Sequence, residues 1–449
     1  MGLTRRLGEI LKGILPAPFT IAVLLTFFTF ILALIITEPE GNRNQLIQIL
    51  SFWEKGIWDS PLLVFAIQMM LMLVLGHTLA LSKPINLLIE KGTLYCNTTA
   101  NAAAIVTFFT IIVSLFNWGL GLIFGAIFAR KVGEHASSKN IKINYPLIGA
   151  AGYSGLMVWH GGVSGSAPIK IAEEKHFLAN KIGVISQSET IFSTMNISIS
   201  LTLIITLPLL MYYIGKRTLS ESTINISKKE NEEKKKVING AERLDNSRGL
   251  SWVFGGTIIT YAFYKAIIMP ENPSLSVITP NYINLVLLGS AILMHKNISN
   301  FLKAIDSAIV GASGILIQFP LYFGIMGVMN HSGMVNIMSN FFVSISNDIT
   351  FPIFTFISAG IVNIFVPSGG GQWAVQGPII IEAATELGVS IPKSVMALAY
   401  GDQLTNMLQP FWALPLLGIT GLKAKDILPY TMILLAAGVI IFISGLLIF

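Results

Sequence analysis

Apolar residues fill the chain in long runs, separated by short polar or basic stretches. The runs fall at about 16–37, 57–81, 102–132, 145–169, 189–214, 250–269, 281–295, 305–329, 350–387, 393–418 and 427–449. Most approach the ~20 residues that cross the hydrocarbon core of a bilayer. They predict membrane-spanning α-helices, because a helix pairs every backbone N–H and C=O within its own segment. Four runs are interrupted in the middle: by NWGLG at 117–121, HGGVSGS at 160–166, PSGGGQ at 367–372 and NMLQP at 406–410. Each interruption breaks a helix where lipid offers no replacement hydrogen bond. Such a break survives only when buried in protein or lining a polar cavity.

Charge sets the sidedness. Arg5, Arg6 and Lys12 precede the first run and place the N-terminus in the cytoplasm. The run that follows is too long for a signal-peptide core and lacks a small-residue cleavage site, so it reads as a retained span. Run 102–132 is either one kinked span or a re-entrant hairpin. Arg130, Lys131, Lys139 and Lys142 follow it. One crossing would put that basic loop outside; a hairpin of two arms, each about a dozen residues, returns it to the cytoplasm. The hairpin is preferred. Run 350–387, flanked by Asp348, Glu382 and Glu386, reads as a second hairpin entering from outside, with a full pair of spans as the alternative. The C-terminus then lies outside, after about nine full crossings.

The order span, span, hairpin, broken span, span occurs twice. Residues 1–215 form the first copy. Residues 216–249, with KKENEEKKK, form a charged cytoplasmic linker, and 250–449 hold a linking span plus the second copy. Gln68 and Ser82 recur at the same spacing as Gln318 and Ser332, and Asn117 and Asn363 open the two hairpin tips. The linking span makes the second copy start on the opposite side. The predicted fold is therefore an all-α inverted-repeat membrane protein with two re-entrant hairpins and two broken spans. That pattern points to a secondary transporter with its site at mid-membrane.

Composition supports the class. The chain of 449 residues is 53% hydrophobic and 12% charged, with mean hydropathy +0.70. Its net charge of +6 lies in short loops and the linker, which gives no case for nucleic acid. The single cysteine, Cys96, excludes an intrachain disulfide. No nucleotide-binding, metalloprotease or hydrolase motif is present, so neither an enzyme nor an ATP-driven pump is indicated.

The candidate substrate-binding residues are those of the breaks. In the inner hairpin they are Asn117, Trp118, Gly119 and Gly121; in the first broken span, Gly162, Ser164, Gly165 and Ser166. In the outer hairpin they are Ser368, Gly369, Gly370, Gly371 and Gln372; in the second broken span, Asn406 and Gln409. Half-helix N-termini offer N–H groups to an anion, and freed carbonyls suit a cation. The same glycines would also serve plain turns or helix packing. Asp402 and His160 are ionisable groups within spans and so are candidates for coupling. Asn117, Asn363 and Asn406 are candidate oxygen donors for Na⁺ near the tips. Trp159, Trp373 and Trp412 adjoin the breaks.

At these residues the chain resembles a known family. NWGLGLIFGAIFAR, WHGGVSGS, ILIQFPLYFGIM, VNIFVPSGGGQWAVQGP and SVMALAYGDQLTNMLQPFWALP look like the bacterial short-chain fatty acid transporter family, within the ion transporter superfamily. The resemblance spans about 3–449. It implies uptake of acetoacetate or butyrate across the cytoplasmic (inner) membrane, elevator-type movement, and a homodimer as the assembly to look for. The family tends to have glycine where this chain has His160. The expectation is a transporter importing short-chain monocarboxylates, coupled to Na⁺ or H⁺, with no organic cofactor and the lipid bilayer as its surroundings. Its rivals are an intramembrane enzyme acting on a lipid-linked acid, a channel, and a carrier for dicarboxylates. The last would want a second cationic group at the site; no Lys or Arg lies in either broken span's interruption, although Lys170 and Lys393 lie near span ends.

Overall fold

The computed structural model describes residues 18–39, 44–218, 240–270, 277–365 and 369–449. Among these residues every regular element is helical. Five stretches are long and apolar enough to cross a membrane: Ser60–Ala80, Thr99–Phe116, Thr194–Arg217, Ile298–His331 and Ala424–Ile448. The chain is a helical membrane protein, as its hydropathy requires.

The first half contains α1 (Pro18–Ile36), α2 (Gln45–Ile57), α3 (Ser60–Ala80), α4 (Lys83–Thr93), α5 (Thr99–Phe116) and α6 (Trp118–Ser138). It continues with α7 (Tyr145–Tyr153), two 3₁₀ turns (Ser154–Met157 and Trp159–Gly161), α8 (Ser166–Lys170) and α9 (Thr194–Arg217). A linking helix, α10 (Arg248–Phe263), leads to the second half. There follow α11 (Pro280–His295), α12 (Ile298–Ile309), α13 (Ser313–His331), α14 (Met334–Ile345), α15 (Phe351–Phe365) and α16 (Gly369–Leu387). The chain closes with α17 (Ile391–Thr405), a 3₁₀ turn (Asn406–Leu408), α18 (Pro410–Thr420) and α19 (Ala424–Ile448).

The same order runs through both halves: long helix, short helix, long helix, short helix, hairpin, broken helix, long helix. The four short helices α2, α4, α12 and α14 were not foreseen. The run expected at 305–329 is in fact the end of α12 followed by α13 from Ser313. Ser82 and Ser332 both lie at the end of a long helix, just before a short one, so their matched spacing has a structural counterpart. Packing is reciprocal. α11 lies against α3 as α13 lies against α1, and α12 against α3 as α2 against α13.

Local chemistry fixes the helix starts. Asp59, Thr98, Asn144, Ser193, Thr279 and Asn297 each accept a hydrogen bond from a first-turn N–H. Proline occupies the first turn of α3, α7, α11 and α17, where its missing N–H costs nothing. The hairpin arms are longer than the dozen residues expected: α5 has 18, α6 21, α15 15 and α16 19. The apolar part of α6 ends before Arg130 and Lys131, and the rest is a charged helical extension. α6 and α7 meet backbone to backbone, for a Cβ on Gly125 would lie 2.0 Å from the carbonyl oxygen of Gly152. Most of the charged linker lies outside the described residues, which resume with the short turn Glu242–Asp245 before α10.

Cys96 sits in the corner between α4 and α5, fully buried, with Sγ 3.5 Å from the Gly92 carbonyl oxygen. Burial pushes its thiol up to about 12. The reactive species is the thiolate, so native Cys96 should react with maleimide at pH 7.5 at least about tenfold more slowly than after unfolding in dodecyl sulfate. Equal rates, read by mass spectrometry, would show that this corner is open.

Candidate functional site

The two hairpin tips and the two helix breaks converge on one cavity of about 20 Å³. Trp118 comes from the inner tip, Trp159 and Ser166 from the first broken helix, Gly369 and Gly370 from the outer tip, and Asn406 and Trp412 from the second broken helix. Met69 of α3 and Ile315 and Phe319 of α13 complete the wall with Leu156. The volume fits about one water. A ligand larger than water therefore needs the wall to move.

The breaks are stitched to each other. Tyr153 donates its hydroxyl to the carbonyls of Asn406 (3.0 Å) and Gln409 (3.2 Å), and Asn406 Nδ2 donates to the Leu156 carbonyl at 3.2 Å. Gln403 Oε1 accepts from the N–H of His160 (2.9 Å) and of Gly161 (3.3 Å). Asn363 Nδ2 donates to the Asp402 carbonyl at 2.6 Å, to Thr405 Oγ1 at 2.9 Å and to Asn406 Oδ1 at 3.0 Å. Gln409 Nε2 in turn donates to the Asn363 carbonyl. Each break thus supplies the donors and acceptors that the other has lost.

His160 and Asp402, both fully buried, form a pair across these breaks. The Ala167 N–H donates to His160 Nε2 at 3.0 Å, which makes that nitrogen an acceptor and puts the ring proton on Nδ1. Nδ1–H then donates to Asp402 Oδ2. The imidazole stacks on Trp159, with centroids 4.5 Å apart. Gly369 opens α16 directly against this pair: a Cβ there would lie 2.8 Å from Asp402 Oδ2. The positive end of a helix dipole suits a carboxylate at that place. Asp402 Oδ1 is buried and without a hydrogen-bond partner among the described residues.

At the inner tip, Asn117 Oδ1 accepts from the Leu120 N–H at 2.7 Å, and the Trp118 N–H donates to Ser164 Oγ at 3.0 Å. The N-terminus of α6 is therefore already capped, against the expectation that both tips offer their amides to an anion. Gly119 packs on the backbone of Leu73, and Gly121 on Ser114. Gly162 lies on the Leu115 carbonyl and Gly165 on that of His160, so both serve the path of the chain. Gln372 Nε2 bonds the Ala359 carbonyl at 2.8 Å and Gln376 Oε1 at 2.7 Å, tying α16 to α15. Gly371 is buried on the first turn of α16. Ser368 lies outside the described residues. Of the candidates, Trp118, Ser166, Gly369, Gly370 and Asn406 reach the cavity wall.

The cavity also has features the sequence did not signal. The indole Nε1 atoms of Trp118 and Trp159 are buried and have no partner among the described residues. Trp118 stands between Trp159 and Trp412, at centroid distances of 5.7 and 5.3 Å. Lys170, expected at a span end, is only 2% exposed. Its Nζ donates to Glu173 Oε2 at 2.5 Å and to Gln68 Oε1 at 3.2 Å, while Gln68 Nε2 donates to Glu173 Oε1 at 2.8 Å. Among the described residues no group of three or more His, Cys, Asp or Glu is placed to hold a metal ion.

The fold is that of known transporters. It is similar to MtrF of Neisseria gonorrhoeae, described with a class of antimetabolite efflux pumps, at TM-score 0.59 and 13% identity over 98% of this chain and 97% of that one. It is equally similar to the Alcanivorax borkumensis YdaH transporter, at TM-score 0.59 and 11% identity, over 96% and 98%. In sequence it is 38% identical over 440 residues to an Escherichia coli K12 protein named for short-chain fatty acid transport, covering 97% of this chain and 96% of the relative. A Haemophilus influenzae protein of the same description is 37% identical over 447 residues, with 96% of each covered. The family described as short chain fatty acid transporter matches residues 1–449. The chain belongs to the short-chain fatty acid transporter family.

Proposed function

We propose that the protein imports short-chain monocarboxylates, such as acetoacetate or butyrate, across the bacterial cytoplasmic membrane. The observation that carries this reading is the cavity: aromatic walls for a short acyl tail, with the indole N–H groups of Trp118 and Trp159, which have no partner among the described residues, as donors for a carboxylate. The two halves are related by inversion, with the N-terminus inside and the C-terminus outside. Equal element order on either side of the linking helix α10, and the reciprocal packing, support that arrangement. The tips and breaks, bonded to one another, move as one body in an elevator-type step. This body closes on cargo by opening and refilling the small cavity.

An anion entering against a negative-inside potential costs about 2.3 kcal/mol per 100 mV. A co-moving cation offsets this. The His160–Asp402 pair carries a net negative charge in its neutral-imidazole form, so a proton taken up by it removes a buried charge at the moment the cargo brings another. Sodium is the second reading, favoured by the buried carbonyl oxygens Asn363 Oδ1 and Gln409 Oε1, which have no partner among the described residues.

Proteoliposome uptake of labelled butyrate tests the proposal. An inward proton gradient should accelerate it; no uptake under any proton or sodium gradient would sink the substrate reading. Asp402→Asn should reduce gradient-driven uptake by about tenfold or more while butyrate exchange at equal pH continues. If the gradient still drives the variant, the pair is not the coupling site. A Cβ on Gly370 would lie 3.0 Å from the rings of Phe319 and Phe65. Gly370→Val should therefore lower uptake by about tenfold or more in protein that remains monodisperse, and unchanged uptake would remove the outer tip from the cargo path.

A further inference from the structure

Lys170 is a buried cation one ring away from the cavity. Ser166 and Lys170 are four residues apart on α8 and so share one face. Ser166 lines the cavity and its hydroxyl lies 3.5 Å from Met69 Sδ, also on the wall. Lys170, one turn further, bonds Gln68, the neighbour of Met69 on α3. Between the ammonium and the cavity stands Phe65. Lys170 Nζ lies 5.3 Å from the centroid of that ring, and the ring's edge, at Cε1 and Cζ, abuts Gly370 of the cavity wall. Phe319, also on the wall, packs beside it at 6.3 Å.

The ammonium is neutralised by a carboxylate that is easily released. Lys170, Glu173 and Gln68 form a closed ring of three hydrogen bonds. Lys170 is 2% exposed, whereas Glu173 is 13% exposed and lies on the turn after α8, beside the exposed Glu174 and Lys175. Gln68 is held independently by Asn281 at 3.1 Å and, through its carbonyl, by Asn284 at 3.0 Å. The cation and its amide partner are thus fixed, and the anion sits at the rim.

We propose that Lys170 is a second cargo-carboxylate site, occupied before the indole donors of the central cavity, in which Glu173 holds the place of the substrate. The inference rests on the monocarboxylate reading above. When the Phe65 ring turns aside, the cargo carboxylate takes over the Lys170 ammonium and the Gln68 amide, and Glu173 swings out to water. One anion replaces another, so the buried charge does not change and the desolvation penalty of an unpaired ion is avoided. A single ammonium with a single exchangeable carboxylate selects monoanions. The tail lies past Phe65 among the aromatic walls.

The test uses the full chain and butyrate as the probe. Glu173→Gln frees the ammonium and should lower the KM for butyrate several-fold. Lys170→Gln should raise it by about tenfold or more, the worth of a charge-assisted hydrogen bond, and Lys170→Arg should recover part of the loss. Opposite signs are the signature, since loss of a structural ion pair would impair both variants alike. The double variant Lys170→Gln/Glu173→Gln leaves no unpaired charge and guards against misfolding. It should lose the wild-type preference for butyrate over butyramide in competition. A double variant with wild-type KM and wild-type preference overturns the proposal, as does impairment of both single variants in the same direction. Protection from thermal unfolding by butyrate, measured without any gradient, reads the site directly. Wild type that is protected yet takes up nothing counts against transport, while equal protection of wild type and double variant counts against Lys170.

Discussion

Broken backbone inside a membrane has to find its hydrogen bonds within the protein, because the hydrocarbon layer supplies none. That constraint organises this molecule. The 3₁₀ turns after α7 and after α17 are placed so that Tyr153, Asn406, Gln403 and Asn363 close one break with groups from the other. The two breaks are bonded into one unit; α3 and α13 pack on the hairpin arms α6 and α16, and α11 and α1 lie in turn against α3 and α13. Close backbone approach, as at Gly125 and Gly152, lets this body stay dense without large side chains.

Electrostatics follows from the same arrangement. Two buried ionic clusters flank the cavity, His160 with Asp402 on one side and Lys170 with Glu173 on the other. Buried charges are tolerated only when paired and hydrogen-bonded, and each cluster meets that condition by a different route. The carboxylate of Asp402 rests on an imidazole and at the start of a long helix. The ammonium of Lys170 rests on a carboxylate, an amide oxygen and an aromatic ring. One cluster is sealed at the centre, and the other reaches the rim.

The sequence made the breaks and the order of long elements legible, because glycine, proline and amide residues inside apolar runs interrupt a helix whose lost hydrogen bonds lipid cannot replace. Ser166, Gly370 and Asn406, which line the cavity, are visible in that way. The four short helices escaped because, at 11 to 13 residues, they do not register as spans: α2, α4 and α14 fall between the apolar runs, and α12 merges with the run at 305–329, which obscures the start of α13. Met69, Ile315 and Phe319 escaped because an apolar residue in an apolar run carries no signal. Lys170 was misjudged for a different reason: in one dimension a lysine after an apolar run looks like a span end, and only the fold brings Gln68 and Glu173 around it. Gln372 and Gln409 brace α15 through Nε2, while their Oε1 atoms are buried without a partner among the described residues, so an amide between helices serves as a brace and still leaves an acceptor open.

The tryptophan wall has a consequence of another kind. Three of the seven indoles in the chain, Trp118, Trp159 and Trp412, are gathered at one cavity. Indole emission responds to the polarity and motion of its surroundings. The protein therefore carries an intrinsic optical reporter at the place where its contents change, and occupancy of that space is visible as light without any label attached.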